Sequence, residues 1–215
     1  MPLDPDLYRA YLVAASLLAL VPGPDWLLVF GMSAAGGPRR GLVAALGITL
    51  GNLVHAGLAA LGITALVAAS PGLFGLLRAA GALYLAWLAV QAFRAAWRRW
   101  RHAEAGPAQA GAPPIDGRGA FRRGLLTNLL NPKVVLFYVA LVPQFVAPSL
   151  GGVGLQTFLL GATLAAAGLV VFLGLACLAG TAAGSALRRP GAGIWLEGAS
   201  GVVFAGFALH LLLTR

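Results

Sequence analysis

The sequence has little charge. Only 10% of its 215 residues are Asp, Glu, Lys or Arg, whereas 60% are hydrophobic. An ordinary soluble domain carries about 25% charged residues, so this chain cannot cover a water-facing surface of the usual kind. Its mean hydropathy of +0.87 points the same way. The composition predicts a multi-pass protein of the bacterial inner membrane, with the lipid bilayer as its surroundings.

Cysteine and histidine are also scarce. The single cysteine, Cys177, cannot form an internal disulfide or a CxxC relay, which excludes a thiol–disulfide electron carrier. Three scattered histidines and one linker glutamate do not make the His-rich or carboxylate-rich loop expected of a metal exporter. We therefore predict no metal site and no cofactor.

Six apolar stretches dominate what is present. Each is long enough for the roughly 20 residues that a helix needs to cross a bilayer. The stretches cover about 7–31, 42–69, 72–93, 124–147, 153–182 and 195–213. The first does not resemble a signal peptide, because Asp4 and Asp6 stand where a basic segment would be and no A-x-A-like site follows. The sequence predicts one all-α transmembrane domain over residues 1–215, with six membrane helices.

The basic residues indicate how these helices are oriented. Net charge is +9, and eleven of the fifteen Lys and Arg residues lie on alternate connections. The eleven are Arg39, Arg40, Arg94, Arg98, Arg99, Arg101, Arg118, Arg122, Arg123, Arg188 and Arg189. The positive-inside rule places them in the cytoplasm and both termini outside. The basic excess is thus explained by topology, with some contact to anionic lipid, and no nucleic-acid partner is predicted.

A polar segment divides the six helices into two sets of three. Residues 98–119, rich in Pro, Ala and Gly, are predicted to form a cytoplasmic linker. Because three is odd, the second set must enter the membrane in the opposite orientation, as in an inverted repeat. PDWLLVF at 24–30 can be aligned with PKVVLFY at 132–138. Chance recurrence of such residues in apolar helices is an equally good explanation of that similarity.

Prolines interrupt the first and fourth stretches. A proline inside a helix removes a hydrogen-bond donor and displaces the carbonyl four residues back. Pro22 and Pro24 therefore free the carbonyls of Leu18 and Leu20, and Pro132 frees that of Asn128. Broken helices in corresponding parts of two halves are the best sequence indication of a transporter's substrate site.

A charged residue directly follows each break. Asp25 lies 14 residues before Arg39, and Lys133 lies 10 after Arg123, which correspond to depths of about 21 and 15 Å. The two can therefore meet at similar depth. Charges in the membrane are usually paired or functional, so we predict that they face each other as the floor of a substrate cavity. A purely structural ion pair is the alternative.

Four segments resemble a known family. PGPDWLLV (22–29), GITLGNLVHAGLAALG (47–62), YLAWLA (84–89) and FRRGLLTNLLNPKVVLFYVALVPQF (121–145) are similar to the LysE/RhtB family of amino-acid exporters, and the resemblance covers nearly the whole chain. It implies a six-helix membrane fold that exports amino acids, driven by the proton gradient. The residues matching the family's motifs are Pro22, Gly23, Pro24, Asp25, Gly47, Gly51, His55, Asn128, Asn131, Pro132 and Lys133. The fifth stretch departs from the pattern, because GATLAAAGLVVFLGLACLAG (161–180) lacks the Trp and Tyr often found in relatives.

The predicted substrate site is formed by both breaks, namely Pro22, Gly23, Pro24, Asp25, Asn128, Asn131, Pro132 and Lys133. Asn52 and His55 are three apart on one helix face, and His55 is the candidate for carrying a coupled proton, since histidine titrates near neutral pH. A histidine that only bonds a neighbouring helix is as good an interpretation. The predicted function is amino-acid efflux by proton antiport with alternating access, without enzymatic activity, and a homo-oligomer is left open.

Other functions remain as alternatives. GASG at 198–201 matches the sequence around the nucleophile of rhomboid intramembrane proteases, which would make Ser200 a nucleophile. His210 is ten residues further along the same helix, about 15 Å away by helical rise, so only His55 could approach Ser200 from elsewhere. Export of another small solute or a metal ion is the remaining alternative.

Overall fold

A computed structural model describes residues 3–102, 116–179, 181, 184 and 190–213. Side chains of residues 71, 102, 190 and 210–213 lie outside this description. In the described part the chain forms eight α-helices and no strand. The helices are α1 (Pro5–Leu20), α2 (Pro24–Gly36), α3 (Pro38–Ala69), α4 (Pro71–His102), α5 (Gly117–Leu129), α6 (Pro132–Ala140), α7 (Val153–Leu178) and α8 (Pro190–Leu213). Two 3₁₀ turns, Val142–Phe145 and Pro148–Leu150, connect α6 to α7.

Prolines set most of these helix starts. Six of the eight described helices begin at a proline, where the missing N–H is no loss and φ is already helical. Asp4 caps α1 by accepting hydrogen bonds from the N–H groups of Asp6 and Leu7. The prolines that break the apolar stretches are thus also the residues that start the following helices.

The helices account for the predicted membrane spans. Helices α3, α4, α7 and α8 are each long and apolar enough to cross a bilayer. The pair α1–α2 passes the same test only as a pair, and so does α5 with Pro132–Phe145, which is α6 and the 3₁₀ turn after it; the bends at the breaks are 53° and 51°. The described residues therefore supply four straight spans, or six if each bent pair is one span. The prediction of an all-α membrane protein is confirmed.

Helix boundaries differ from the apolar stretches at the predicted linker. Helix α4 continues through Arg101 to His102, and α5 begins at Gly117. Arginine is a good helix former, and the guanidinium of Arg101 lies 5.0 Å from the Trp97 ring on the same helix face. The helix therefore extends well past its apolar part. Residues 103–115, the middle of the predicted linker, lie outside the described residues, as do Arg188 and Arg189.

Helix α3 occupies the centre of the fold. It packs most extensively on α7 and α5, and also on α2. Two glycines bring α3 and α5 close together. A Cβ on Gly47 would overlap the carbonyl oxygen of Phe121, and one on Gly124 would overlap that of Ala44. Small residues at such crossings let membrane helices pack backbone to backbone.

The outward surfaces suit lipid. Large apolar side chains are exposed on several spans, among them Leu61 (73% exposed), Leu83 (66%) and Val170 (69%). In water such a surface would drive aggregation, whereas in a bilayer these side chains meet acyl chains of the same polarity. Five of the buried polar residues lie where the two breaks meet, namely Asp25, Asn52, His55, Asn128 and Asn131.

Candidate functional site

The first break lies between α1 and α2. The Val21 N–H still donates to the Leu18 carbonyl at 3.1 Å, so that freed carbonyl finds a partner within its own turn. Pro22 and Pro24 have no N–H, and the helix cannot continue through them. After the 53° bend, Asp25 occupies the first turn of α2. An acid inside the fold is thus placed by the restart of the helix.

The second break lies between α5 and α6. The Asn131 side chain accepts a hydrogen bond from the Lys133 N–H at 3.1 Å, which caps α6. The backbone N–H of Asn131 donates to the Asn128 carbonyl at 3.0 Å. Lys133 therefore follows Pro132 in the first turn of α6, as Asp25 follows Pro24 in α2.

Lys133 connects the two breaks. Its Nζ donates to the Pro22 carbonyl oxygen at 3.1 Å. The ammonium also lies 5.6 Å from the centre of the Phe137 ring and 5.4 Å from that of Phe204, distances typical of cation–π attraction. A Cβ on Gly23 would lie 3.4 Å from Nζ, so the amine lies directly against this glycine as it reaches the neighbouring carbonyl.

Asp25 is held from the other side. The carboxylate is buried, and its Oδ2 accepts a hydrogen bond from the Nδ2 of Asn128 at 2.7 Å. The second oxygen, Oδ1, is buried and accepts no hydrogen bond from the described residues. A buried carboxylate oxygen without a hydrogen bond is costly, so a donor that reached this oxygen would be stabilising.

Asp25 and Lys133 do not form a direct ion pair. Within the described residues, ion pairs of 4.0 Å or less join Arg9 to Asp6 and Arg99 to Glu197. Asp25 and Lys133 instead border one cavity of about 70 Å³. The two charges are therefore separate groups around a shared space.

The lining of that cavity is partly polar and partly apolar. Its polar side chains come from both breaks and from α3, namely Asp25, Asn131, Lys133 and Asn52. The apolar side chains around it come from α1, α2, α6 and α7, and they include Leu18, Trp26, Phe137, Leu164 and Phe172. One acid and one amine thus stand beside an apolar wall.

His55 lies next to these polar residues but is not among those that border the cavity. Its Nε2 is 3.3 Å from the Asn128 carbonyl oxygen, the carbonyl that Pro132 leaves without its helical partner. The imidazole ring lies 5.9 Å from the Tyr138 ring, measured between centroids. The Tyr138 hydroxyl donates to the Asn52 carbonyl at 2.8 Å and also lies 3.2 Å from the Gly161 carbonyl. Tyr138 therefore ties α6 to α3 and α7 around the break.

The residues predicted for the site do not all border the cavity. Gly23, Asp25, Asn131, Lys133 and Asn52 do. Others act from behind it: Asn128 is fully buried and bonds to Asp25, while the Pro22 carbonyl bonds to Lys133. Pro24 and Pro132 start the helices that carry the charges, and His55 contacts Asn128. A Cβ on Gly51 would lie 2.6 Å from the Asn128 Oδ1, so this glycine lets α3 approach Asn128.

Sequence reasoning missed Tyr138 and the α7 wall. Tyr138 could have been noticed as the polar aromatic residue six positions after Pro132, within an otherwise apolar run. The wall residues Leu164, Gly168 and Phe172 give no such signal, because apolar residues occur on every face of α7. Their role depends on how the helix is rotated in the fold.

The protease alternative receives no support from the side chains that the structure describes. The Ser200 hydroxyl donates to the Leu196 carbonyl of its own helix at 2.6 Å. His55 contacts Asn128 instead, and the His210 side chain lies outside the description. A serine hydroxyl that donates to the carbonyl four residues back makes a hydrogen bond within its own helix, which is a structural role.

Comparison with known proteins gives consistent results. The family model described as LysE type translocator matches residues 16–215. The leucine efflux protein of Enterobacter sp. is 35% identical over 157 residues, 73% of this chain and 72% of that protein. The threonine efflux protein of Escherichia coli K12 is 31% identical over 199 residues, 90% of this chain and 91% of that protein. An uncharacterised membrane protein of Pseudomonas aeruginosa is 40% identical over 157 residues, 73% of this chain and 72% of that protein. No solved structure matches significantly.

Proposed function

The chain belongs to the LysE type translocator family, and from this we propose that it exports amino acids or close derivatives from the cytoplasm. The similarity to leucine and threonine efflux proteins supports an amino-acid substrate. As a member of this family, the chain is a multi-pass membrane transporter.

One observation carries the proposal: an acid and an amine, each from a different broken helix, border the same cavity without pairing directly. A zwitterionic amino acid needs an acceptor for its ammonium and a donor for its carboxylate. Asp25 Oδ1, buried and without a described partner, is the acceptor. The amine of Lys133 is the donor, since its contact with the Pro22 carbonyl can be exchanged for a stronger one to a carboxylate.

Helix α2 adds a second attraction for the carboxylate. Its first described backbone bond runs from the Leu27 N–H to the Gly23 carbonyl. The N–H groups of Asp25 and Trp26 precede that bond, at the positive end of the helix dipole. Both residues border the cavity. We assign the substrate-binding site to the two breaks, with Pro22, Pro24, Asn128 and Pro132 shaping it and Gly23, Asp25, Asn131 and Lys133 facing the substrate.

We also propose that the two sets of helices are inverted repeats, with α1–α2, α3 and α4 corresponding to α5–α6, α7 and α8. The similar bends of 53° and 51° support this. The helix packing also supports it. In this correspondence, the contact of α3 with α5 is equivalent to the contact of α7 with α1. The contacts α3–α7 and α4–α8 each join two helices that occupy equivalent positions in the two repeats. Repeats of this kind allow alternating access around a fixed central site.

Proton antiport is the proposed source of energy, with His55 and Asn52 as the coupling residues. His55 contacts the carbonyl at the second break, and Asn52 borders the cavity. A proton on His55 would place a positive charge behind Asn128, which holds Asp25. Protonation would thereby act on the acid that binds the ammonium.

The test is efflux from vesicles that contain the purified protein and are loaded with labelled amino acids. We expect release that is faster than from protein-free vesicles and that responds to an imposed proton gradient. Vesicles with the Asp25→Asn variant are the matched control, because this change keeps the size of the side chain. Equal release from all three preparations, for every amino acid loaded, would refute amino-acid export.

A further inference from the structure

We infer that the cavity selects amino acids whose side chains are uncharged and apolar, and that Gly168 on α7 sets the size it accepts. This inference rests on the proposed export of amino acids. It concerns the part of the cavity that the backbone groups of a substrate would not occupy.

The number of charged residues around the cavity argues against a substrate amino acid whose side chain is charged. Of the residues that border it, Asp25 and Lys133 are the two that carry charge. The substrate's own ammonium and carboxylate use both. A third charge on lysine, arginine or glutamate would find no opposite charge left among these residues, and an unpaired charge in a buried site is strongly unfavourable.

Much of the lining of the cavity is apolar, and three of its residues come from one helix. Leu164, Gly168 and Phe172 on α7 border the cavity. They are spaced by four residues and therefore share one helix face. Leu18 and Trp26 from the first broken helix add to this apolar lining, as does Phe137 of α6. A site with this lining gains most from a substrate that buries aliphatic surface against it.

Gly168 leaves room in this wall. The residue is buried, yet a Cβ at this position would find a single neighbouring atom within 4 Å, on the Phe172 ring at 3.6 Å. That distance is ordinary van der Waals contact, so close helix packing does not require the glycine. Because Gly168 is buried and borders the cavity, the space beside it belongs to the cavity and is available to the substrate's side chain.

A second glycine of α7 provides a matched control. A Cβ on Gly174 would meet no atom within 4 Å, and this glycine borders a second, apolar groove, which shares Val21 and Trp26 with the cavity but does not include Gly168. Gly168→Ala and Gly174→Ala therefore both add one methyl to the same helix without a clash. They differ in whether that methyl enters the cavity.

The experiment measures initial efflux rates from vesicles loaded separately with leucine, valine, alanine, lysine or glutamate. For the unmodified chain we expect leucine and valine to leave about tenfold or more faster than lysine and glutamate. Gly168→Ala should lower the ratio of leucine to alanine rates by about tenfold or more, since one methylene in an apolar pocket changes discrimination by about 10–200-fold. Gly174→Ala should keep the original ratio. A ratio within one preparation does not depend on how much protein is folded.

The outcomes separate this inference from the proposed function. Lysine or glutamate efflux as fast as that of leucine would overturn the inference and leave amino-acid export standing. An unchanged ratio in Gly168→Ala would overturn the role of Gly168. Absence of efflux for all five amino acids would overturn the proposed function for this panel and the inference with it.

Discussion

The side-chain amide of Asn128 donates a 2.7 Å hydrogen bond to the carboxylate of Asp25, joining the end of α5 to the start of α2. The two residues are 103 positions apart and belong to different broken helices. From the other direction, Lys133 of α6 donates to the Pro22 carbonyl that precedes α2. Two polar side chains, Asn128 and Lys133, thus connect the second break to the first by hydrogen bonds. A movement of one break would therefore strain its contacts with the other.

The close crossing of α3 and α5 leads to a prediction about stability. A Cβ on Gly47 would overlap the Phe121 carbonyl, whereas one on Gly57, on the same helix, would meet no atom within 4 Å. Gly47→Ala should therefore lower the free energy of unfolding by about 1–3 kcal/mol through overpacking. Gly57→Ala should be neutral or slightly stabilising, because alanine favours helix over glycine. Thermal unfolding in detergent measures both. Equal melting temperatures for the two variants would contradict the crossing.

The positions of both breaks and of the charges after them could be predicted from sequence, because they depend on residues that are neighbours along the chain. Proline acts on its own helix, so the breaks at Pro24 and Pro132, and the charges that follow them, are visible without a structure. The partners of those charges are not. Lys133 contacts the Pro22 carbonyl and not Asp25, because rotation of the helices and the rotamer of a long side chain depend on packing among all spans. The same holds for Tyr138 and Gly168. Their helices are apolar on most faces, so the sequence does not indicate which face points into the protein.

Topology gives the second prediction. Arg39 and Arg40 begin α3, Arg98–Arg101 end α4 and Arg118–Arg123 begin α5, and in a six-span arrangement these ends share one side of the membrane. The positive-inside rule makes that side cytoplasmic. A reporter active only in the cytoplasm should be silent when fused after Arg215, and active when inserted in the 103–115 segment. Activity both in the 103–115 segment and after Arg215 would contradict the three spans expected between them, because an odd number of spans puts the two positions on opposite sides.

The third prediction concerns His55. Glutamine in its place keeps a donor for the Asn128 carbonyl but cannot titrate near neutral pH. His55→Gln should therefore fold normally and exchange substrate across the membrane, while efflux under an imposed proton gradient falls to the rate seen without one. Comparison of gradient-driven efflux with exchange in vesicles makes the measurement. Coupling that keeps its full pH dependence in this variant would remove His55 from proton transfer.

The fourth prediction concerns the two charges of the cavity. Asp25→Asn removes the acceptor proposed for the substrate ammonium, and Lys133→Met removes the donor proposed for its carboxylate while keeping an apolar contact to Phe137. Each single change also leaves the other charge alone in a buried site. Loss of the opposite charge costs about 3–5 kcal/mol in a close pair, and it costs less here because the two charged groups are more than 4.0 Å apart. Both variants should lose transport, and their accumulation in the membrane should fall.

The double variant Asp25→Asn/Lys133→Met separates binding from structure. With neither charge left uncompensated, it should accumulate in the membrane better than either single variant, which immunoblotting of membrane fractions measures. Transport should remain absent, because a zwitterion then finds neither its acceptor nor its donor. Full transport by the double variant would instead assign both residues a purely structural role and place the substrate elsewhere.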